Sequence, residues 1–149
     1  MRILFTLVLL TSATFAAAQA ATSSNPQDAL ALAVRSQAVL NEYVIGAIEP
    51  EAMKYAQRLR LTQAALDGQR KQWPTVSAGP DPWDSYRACK NALEKASYVA
   101  GLSAIKAVST LDTTVFAAEK AKLQQLRADC KRQISIGTGS SKGSNAAQK

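Results

Sequence analysis

Prolines beside helix-capping residues divide most of the chain into segments of helical length. Asn25-Pro26 and Asp81-Pro82 each pair a capping side chain with a proline suited to the first helical turn. Pro50 marks a further start, and Pro74 cannot continue a helix. Between these points apolar residues recur at steps of three and four, and no strand-like alternation of useful length occurs. We therefore predict an all-α protein with helices near residues 26–48, 50–73, 82–107 and 113–135.

The connections between these helices favour a bundle. Glu49-Pro50-Glu51 makes the first connection very short, so the first two helices are expected to lie antiparallel. We predict one antiparallel four-helix bundle over residues 21–136. The segment 137–149, GTGSSKGSNAAQK, has almost nothing to bury and is expected to be a disordered tail.

The two cysteines occupy matching places on the third and fourth helices. Cys89 lies 21 residues before Thr110, the centre of the intervening turn, and Cys130 lies 20 residues after it. At a rise of about 1.5 Å per residue the two stand at nearly the same height on antiparallel helices. We predict a structural Cys89–Cys130 disulfide, since a redox-active pair favours the C-x-x-C spacing.

Residues 1–20, MRILFTLVLLTSATFAAAQA, have the pattern of a signal peptide. Arg2 supplies the positive charge, residues 3–10 are apolar, and Ala18-Gln19-Ala20 predicts cleavage before Ala21. We expect an exported protein, periplasmic or secreted, with no transmembrane span after cleavage. Such compartments are oxidising, which agrees with a disulfide.

The composition excludes most catalytic chemistry. The chain has no histidine, the usual general base near neutral pH and the commonest transition-metal ligand. No nucleophile elbow, phosphate-binding glycine loop or calcium loop is present. Asp81 and Asp84 are explained as residues of a helix start, and Glu94 with Lys90 as an ordinary surface pair. We therefore predict no enzyme activity, metal or cofactor.

Aromatic residues gather around the proline-rich loop between the second and third helices. Trp73 and Trp83 bracket this loop, and Tyr86 lies one turn further on. Rigidly held aromatics are typical anchors of binding surfaces. We predict a binding site here, with Arg70 and Lys71 as charged neighbours. The alternative is that the two indoles close the end of the bundle core.

Basic residues form the second candidate surface. The chain carries 18 Lys and Arg against 11 Asp and Glu, a net charge of +7. An anionic surface is thus an alternative partner. A nucleic acid is not expected, because its binding favours a denser basic patch with interleaved aromatics. Solvated helix faces are the favoured explanation of these residues: Arg58, Arg60, Arg70, Lys71, Lys120, Lys122, Arg127, Lys131 and Arg132.

These observations favour a small exported helical protein that binds another macromolecule. An inhibitor or immunity protein, or an accessory subunit of an envelope or secretion assembly, would fit this description. The first alternative is a carrier or chaperone that holds an apolar ligand or an unfolded client in the bundle. The second is a histidine-free helical enzyme, with Glu94 and neighbouring cations such as Arg87, Lys90 or Lys95.

Overall fold

The computed structural model describes residues 25–43, 51–75, 81–109 and 113–144, without the side chains of 140–144. The predicted signal peptide and its cleavage site lie outside these residues. The described residues form four α-helices and a short 3-10 helix, with no strand among them. The all-α prediction is thus confirmed. The helices are α1 (Pro26–Glu42), α2 (Ala52–Arg70), α3 (Arg87–Val108) and α4 (Thr113–Ser144), and the 3-10 turn is Pro82–Tyr86.

Two predicted helix starts are confirmed at atomic detail. The Asn25 side chain accepts a hydrogen bond from the Gln27 N–H at 3.0 Å, with Pro26 in the first turn of α1. The Asp81 side chain accepts one from the Trp83 N–H at 3.0 Å. Here, however, the segment begins as the 3-10 turn, and α-helical geometry starts only at Arg87.

The ends of the first two helices differ from the prediction. α1 ends at Glu42 rather than near residue 48, and residues 44–50 lie outside the described part. α2 ends at Arg70 rather than Trp73. The Gln72 and Trp73 N–H groups bond to carbonyls three residues back, at 3.2 and 3.1 Å. The chain therefore tightens and leaves the α-helix before Pro74, which disfavours helical geometry at the preceding residue.

The fourth helix is longer than predicted. α4 continues to Ser144, so residues 137–144 of the expected disordered tail are helical, while residues 145–149 lie outside the described part. Extending an existing helix costs far less than nucleating one. The Thr138 hydroxyl adds local bonds, to the Ile134 carbonyl at 3.1 Å and to that of Ser135 at 3.0 Å. A prediction from composition alone does not take into account these hydrogen bonds or the preceding helix.

α3 is the central helix. It packs most extensively against α2 and α4, whereas α2 and α4 do not meet within the described residues. α1 contacts all three. The Ala88 N–H at the start of α3 bonds to Gln133 on α4, and Lys106 near its end lies 4.7 Å from the ring centre of Phe116. The start of α3 thus lies beside a late part of α4, and the end of α3 beside the start of α4. This arrangement is compatible with the predicted antiparallel bundle.

The core has two unequal parts. The main cluster surrounds the Cys89–Cys130 disulfide, which confirms the predicted pairing, with Cα atoms 4.5 Å apart and both cysteines buried. A second, small cluster joins the beginning of α2 to the end of α3, and its buried members are Ala56, Leu59 and Ala104. The end of the molecule that contains the disulfide, called the stapled end below, therefore has the larger hydrophobic core.

Candidate functional site

The two tryptophans predicted to anchor a partner lie together at the stapled end. Their ring centres are 5.9 Å apart and their planes meet at 73°, an edge-to-face arrangement. Trp73 follows α2 and is only 6% exposed, whereas Trp83 in the 3-10 turn is half-buried. The structure therefore favours a packing role for Trp73, while Trp83 offers part of its ring to the surface.

Ser36 is the buried residue that fixes Trp73. Its hydroxyl oxygen accepts hydrogen bonds from Trp73 Nε1 at 3.1 Å and from Gln69 Nε2 at 3.4 Å. The same hydroxyl donates to the Leu32 carbonyl at 2.8 Å. Sequence reasoning missed this residue. Its place among the apolar positions of α1, one turn beyond Leu32 and one before Leu40, was the available signal.

A small pocket of about 140 Å³ opens beside the tryptophan pair. Within it Arg87 Nη2 donates to Asp84 Oδ1 at 2.6 Å, and this carboxylate raises the pKa of Arg87 through the hydrogen bond and its charge. Lys90 Nζ donates to the Pro74 carbonyl at 3.2 Å, which ties α3 to the chain after α2. We name this surface the tryptophan pocket, lined by Trp73, Pro74, Asp81, Trp83, Asp84, Arg87, Lys90 and Asn91.

The other predicted binding residues do not line the tryptophan pocket. Arg70 Nε lies 3.6 Å from Asp67 Oδ1 on its own helix, and Lys71 is exposed. Tyr86 is 7% exposed and lines a different pocket, with Gln133 and Gly137 of α4. The structure thus brings Trp73 and Trp83 together and places Tyr86 against another helix.

The groove between α3 and α4 carries an ion-pair network. Glu119 receives Lys95 Nζ at 2.6 Å across the helices and Lys122 Nζ at 3.3 Å along its own. The hydrogen bond from Lys95, helped by Lys122, lowers the pKa of Glu119 below its usual range. Lys95, considered above as a neighbour of Glu94, is therefore bound to a different carboxylate.

Several basic side chains contact aromatic rings or polar groups of the protein itself. Lys106 and Lys120 both lie over the Phe116 ring, at 4.7 and 5.6 Å from its centre. Arg127 Nη2 donates to Asn41 Oδ1 at 3.2 Å and so links α4 to α1. In the part of the chain that the structure describes, these cations serve helix packing as well as solvent contact.

The described residues show neither a cluster of metal ligands nor a membrane-spanning helix. Within the described ranges, no three histidine, cysteine, aspartate or glutamate side chains come together as metal ligands. None of the helices described there is long and apolar enough to cross a membrane. Comparisons with protein-family models, with curated proteins and with solved structures gave no match. The residues of this chain therefore carry every functional inference.

Proposed function

We propose that the protein is a small exported helical protein that acts by binding a protein partner in the cell envelope or outside the cell. An inhibitor or immunity protein, or an accessory subunit of an envelope or secretion assembly, is the kind of role intended. The intramolecular disulfide is compatible with export.

The observation that carries this proposal is the half-buried indole of Trp83. Its ring packs edge to face on a buried neighbour, so little conformational entropy is lost when a partner covers it. Asp84 and Arg87 lie beside it in the same pocket. An aromatic anchor ringed by polar groups is the usual composition of an interface hot spot.

Trp83→Ala tests the proposal when affinity and stability are both measured. Tagged wild-type protein would capture partners from the exported fraction, and the affinity of the recovered partner would then be measured. We expect Trp83→Ala to weaken that binding by about 2 kcal/mol, roughly thirtyfold in Kd. Leu61→Ala, on an exposed residue of α2, is the matched control and should leave it unchanged.

Stability decides between an anchor and a simple core residue. If Trp83 is an anchor, Trp83→Ala should lower the free energy of unfolding by less than about 3 kcal/mol, which is the scale of a large core truncation. A greater loss of stability together with an unchanged Kd would refute the proposed binding role.

Export has its own test. The pattern of residues 1–20 leads us to expect that the exported protein begins at Ala21, with Gln19 as the alternative start. N-terminal sequencing of the exported form measures this directly. Recovery of a form that starts at Met1 would contradict the signal-peptide assignment.

A further inference from the structure

A second and larger pocket lies on the other side of the 3-10 turn. It is an open pocket of about 450 Å³ between the start of α1, the 3-10 turn and the end of α4. That volume is in the usual range for small-molecule sites. We name it the tyrosine pocket, lined by Pro26, Gln27, Leu30, Ser85, Tyr86, Gln133, Ile136 and Gly137.

The polar groups of this lining are all uncharged. Gln27, Ser85, Tyr86 and Gln133 supply amides and hydroxyls, and the remaining side chains are apolar. A charged ligand would lose hydration here without gaining an ion pair. The lining therefore favours an uncharged and largely apolar molecule.

The Tyr86 hydroxyl is the group that such a molecule would meet. Tyr86 is only 7% exposed, and its hydroxyl makes no hydrogen bond to another described residue but is not closed off from solvent. Because Tyr86 forms part of the pocket wall, a ligand that carries a hydrogen-bond acceptor can take the place of water at this hydroxyl.

Two features of α4 hold this wall in shape. Gly137 has no side chain, and a methyl group there would overlap the Tyr86 hydroxyl. Gln133 Oε1 accepts a hydrogen bond from the Ala88 N–H at 3.1 Å, which fixes its side chain against the start of α3. The pocket is therefore preorganised beside the disulfide, and a ligand need not order it.

We propose that the tyrosine pocket binds a small, uncharged, largely apolar molecule through a hydrogen bond from Tyr86 Oη to an acceptor such as a ketone or ether oxygen. This site is separate from the protein-binding surface around Trp83. It would make the molecule a carrier or sensor of such a compound.

Titration with the dye prodan, an uncharged naphthalene ketone, tests the site. Its emission moves to shorter wavelength in apolar surroundings and to longer wavelength when its ketone accepts a hydrogen bond. We expect saturable binding of one dye per chain. Tyr86→Phe should raise the Kd about two- to tenfold, the effect of one neutral hydrogen bond, and shift the bound emission to shorter wavelength.

A charge placed in the pocket gives a second and stronger test. Ile136 is 64% exposed, so Ile136→Asp should fold, and we expect it to raise the Kd more than tenfold because the apolar wall is disrupted. Met53→Asp, at a residue 74% exposed on α2, controls for the added charge and should bind as wild type does.

The outcomes separate this proposal from the previous one. Trp83 does not line the tyrosine pocket, so Trp83→Ala should bind prodan normally even where it loses the protein partner. The absence of saturable binding would overturn the proposal. So would binding that neither Tyr86→Phe nor Ile136→Asp alters.

Discussion

At the scale of single residues, the buried hydroxyl of Ser36 joins two helices. It accepts hydrogen bonds from the amide of Gln69, near the end of α2, and from the indole N–H of Trp73, just after that helix. Those two donors lie in the core, where an unmade hydrogen bond costs more than a made one contributes. A single small polar side chain on α1 thereby ties the end of α2 and the residues after it to α1.

We expect Ser36→Ala to lower the free energy of unfolding by about 1–3 kcal/mol, because it leaves two buried donors without their acceptor. Urea unfolding at neutral pH measures the loss. Ser135→Ala is the matched control, since that exposed hydroxyl also bonds to the carbonyl four residues back, at 3.0 Å. The free energy of unfolding of Ser135→Ala should stay within about 0.5 kcal/mol of the wild-type value. Equal losses in the two variants would contradict the role given to Ser36.

Gly137 and Gly139 of α4 should respond to alanine in opposite directions. Gly139 has open space around an added methyl group, so Gly139→Ala should stabilise the helix by up to about 1 kcal/mol. At Gly137 the same methyl group would overlap the Tyr86 hydroxyl, so Gly137→Ala should destabilise the protein despite its better helix propensity. Thermal unfolding of both variants measures the difference. Stabilisation by both would show that Tyr86 does not pack on Gly137.

At the scale of helices, the starts of α1 and α4 and the end of α3 could be predicted from sequence, whereas the ends of α1, α2 and α4 could not. The side chains of Asn25 and Asp81 each accept a hydrogen bond from the N–H two residues later, so the local sequence determines where these helical segments start. The ends depend on tertiary contacts. α4 passes Gly137, where the missing side chain accommodates Tyr86 of a distant segment. The pairing of Cys89 with Cys130 was predictable because two regular helices and a short turn define their relative height.

The candidate site was predictable only in part, for a similar reason. Because Trp73, Trp83 and Tyr86 lie close together in sequence, they were predicted to form one binding site. In the structure the two indoles pack on one another, whereas Tyr86 lies against α4. Spacing along the chain gives the neighbours within a segment, and it does not tell which other helix each side chain meets. The partner of Trp73 on α1 lies 37 residues away and was missed for that reason.

The Glu119 network should make stability depend on pH. Since hydrogen bonding to Lys95 lowers the pKa of Glu119 in the folded protein, its contribution is present above the pKa of an unfolded glutamate, about 4.3, and is lost as pH falls through the lower folded value. Glu119→Gln should thus be less stable than wild type at pH 7 and approach it at about pH 3. Urea unfolding at both values measures this.

Glu94 provides the control for that pH dependence. It lines the same groove and is exposed. Glu94→Gln should keep the difference in stability between neutral and acid pH that the wild type shows. If Glu94→Gln and Glu119→Gln flatten this difference equally, the effect belongs to general surface charge rather than to the Lys95 contact.

At the scale of the whole molecule, the disulfide closes a loop between residues 41 apart in sequence. For that length the chain-entropy estimate gives a stabilisation of about 4 kcal/mol. We expect Cys89→Ala with Cys130→Ala to lower Tm strongly while the far-ultraviolet circular dichroism spectrum stays helical. Reductant should lower the Tm of the wild type and leave that of the double variant unchanged. Quantitative reaction of two native thiols without reductant would contradict the bond.

The division of the core into a large and a small cluster has a consequence for local opening. Around Cys89 a large cluster of buried side chains holds α3, whereas near Ala104 a much smaller cluster, with Leu59 as its one large buried member, holds it against α2. Amide hydrogens in the last turns of α3 should therefore exchange with deuterated solvent well before those around Cys89 on the same helix. Transient unfolding would begin at the end away from both proposed pockets, and their walls would keep their shape while it occurs.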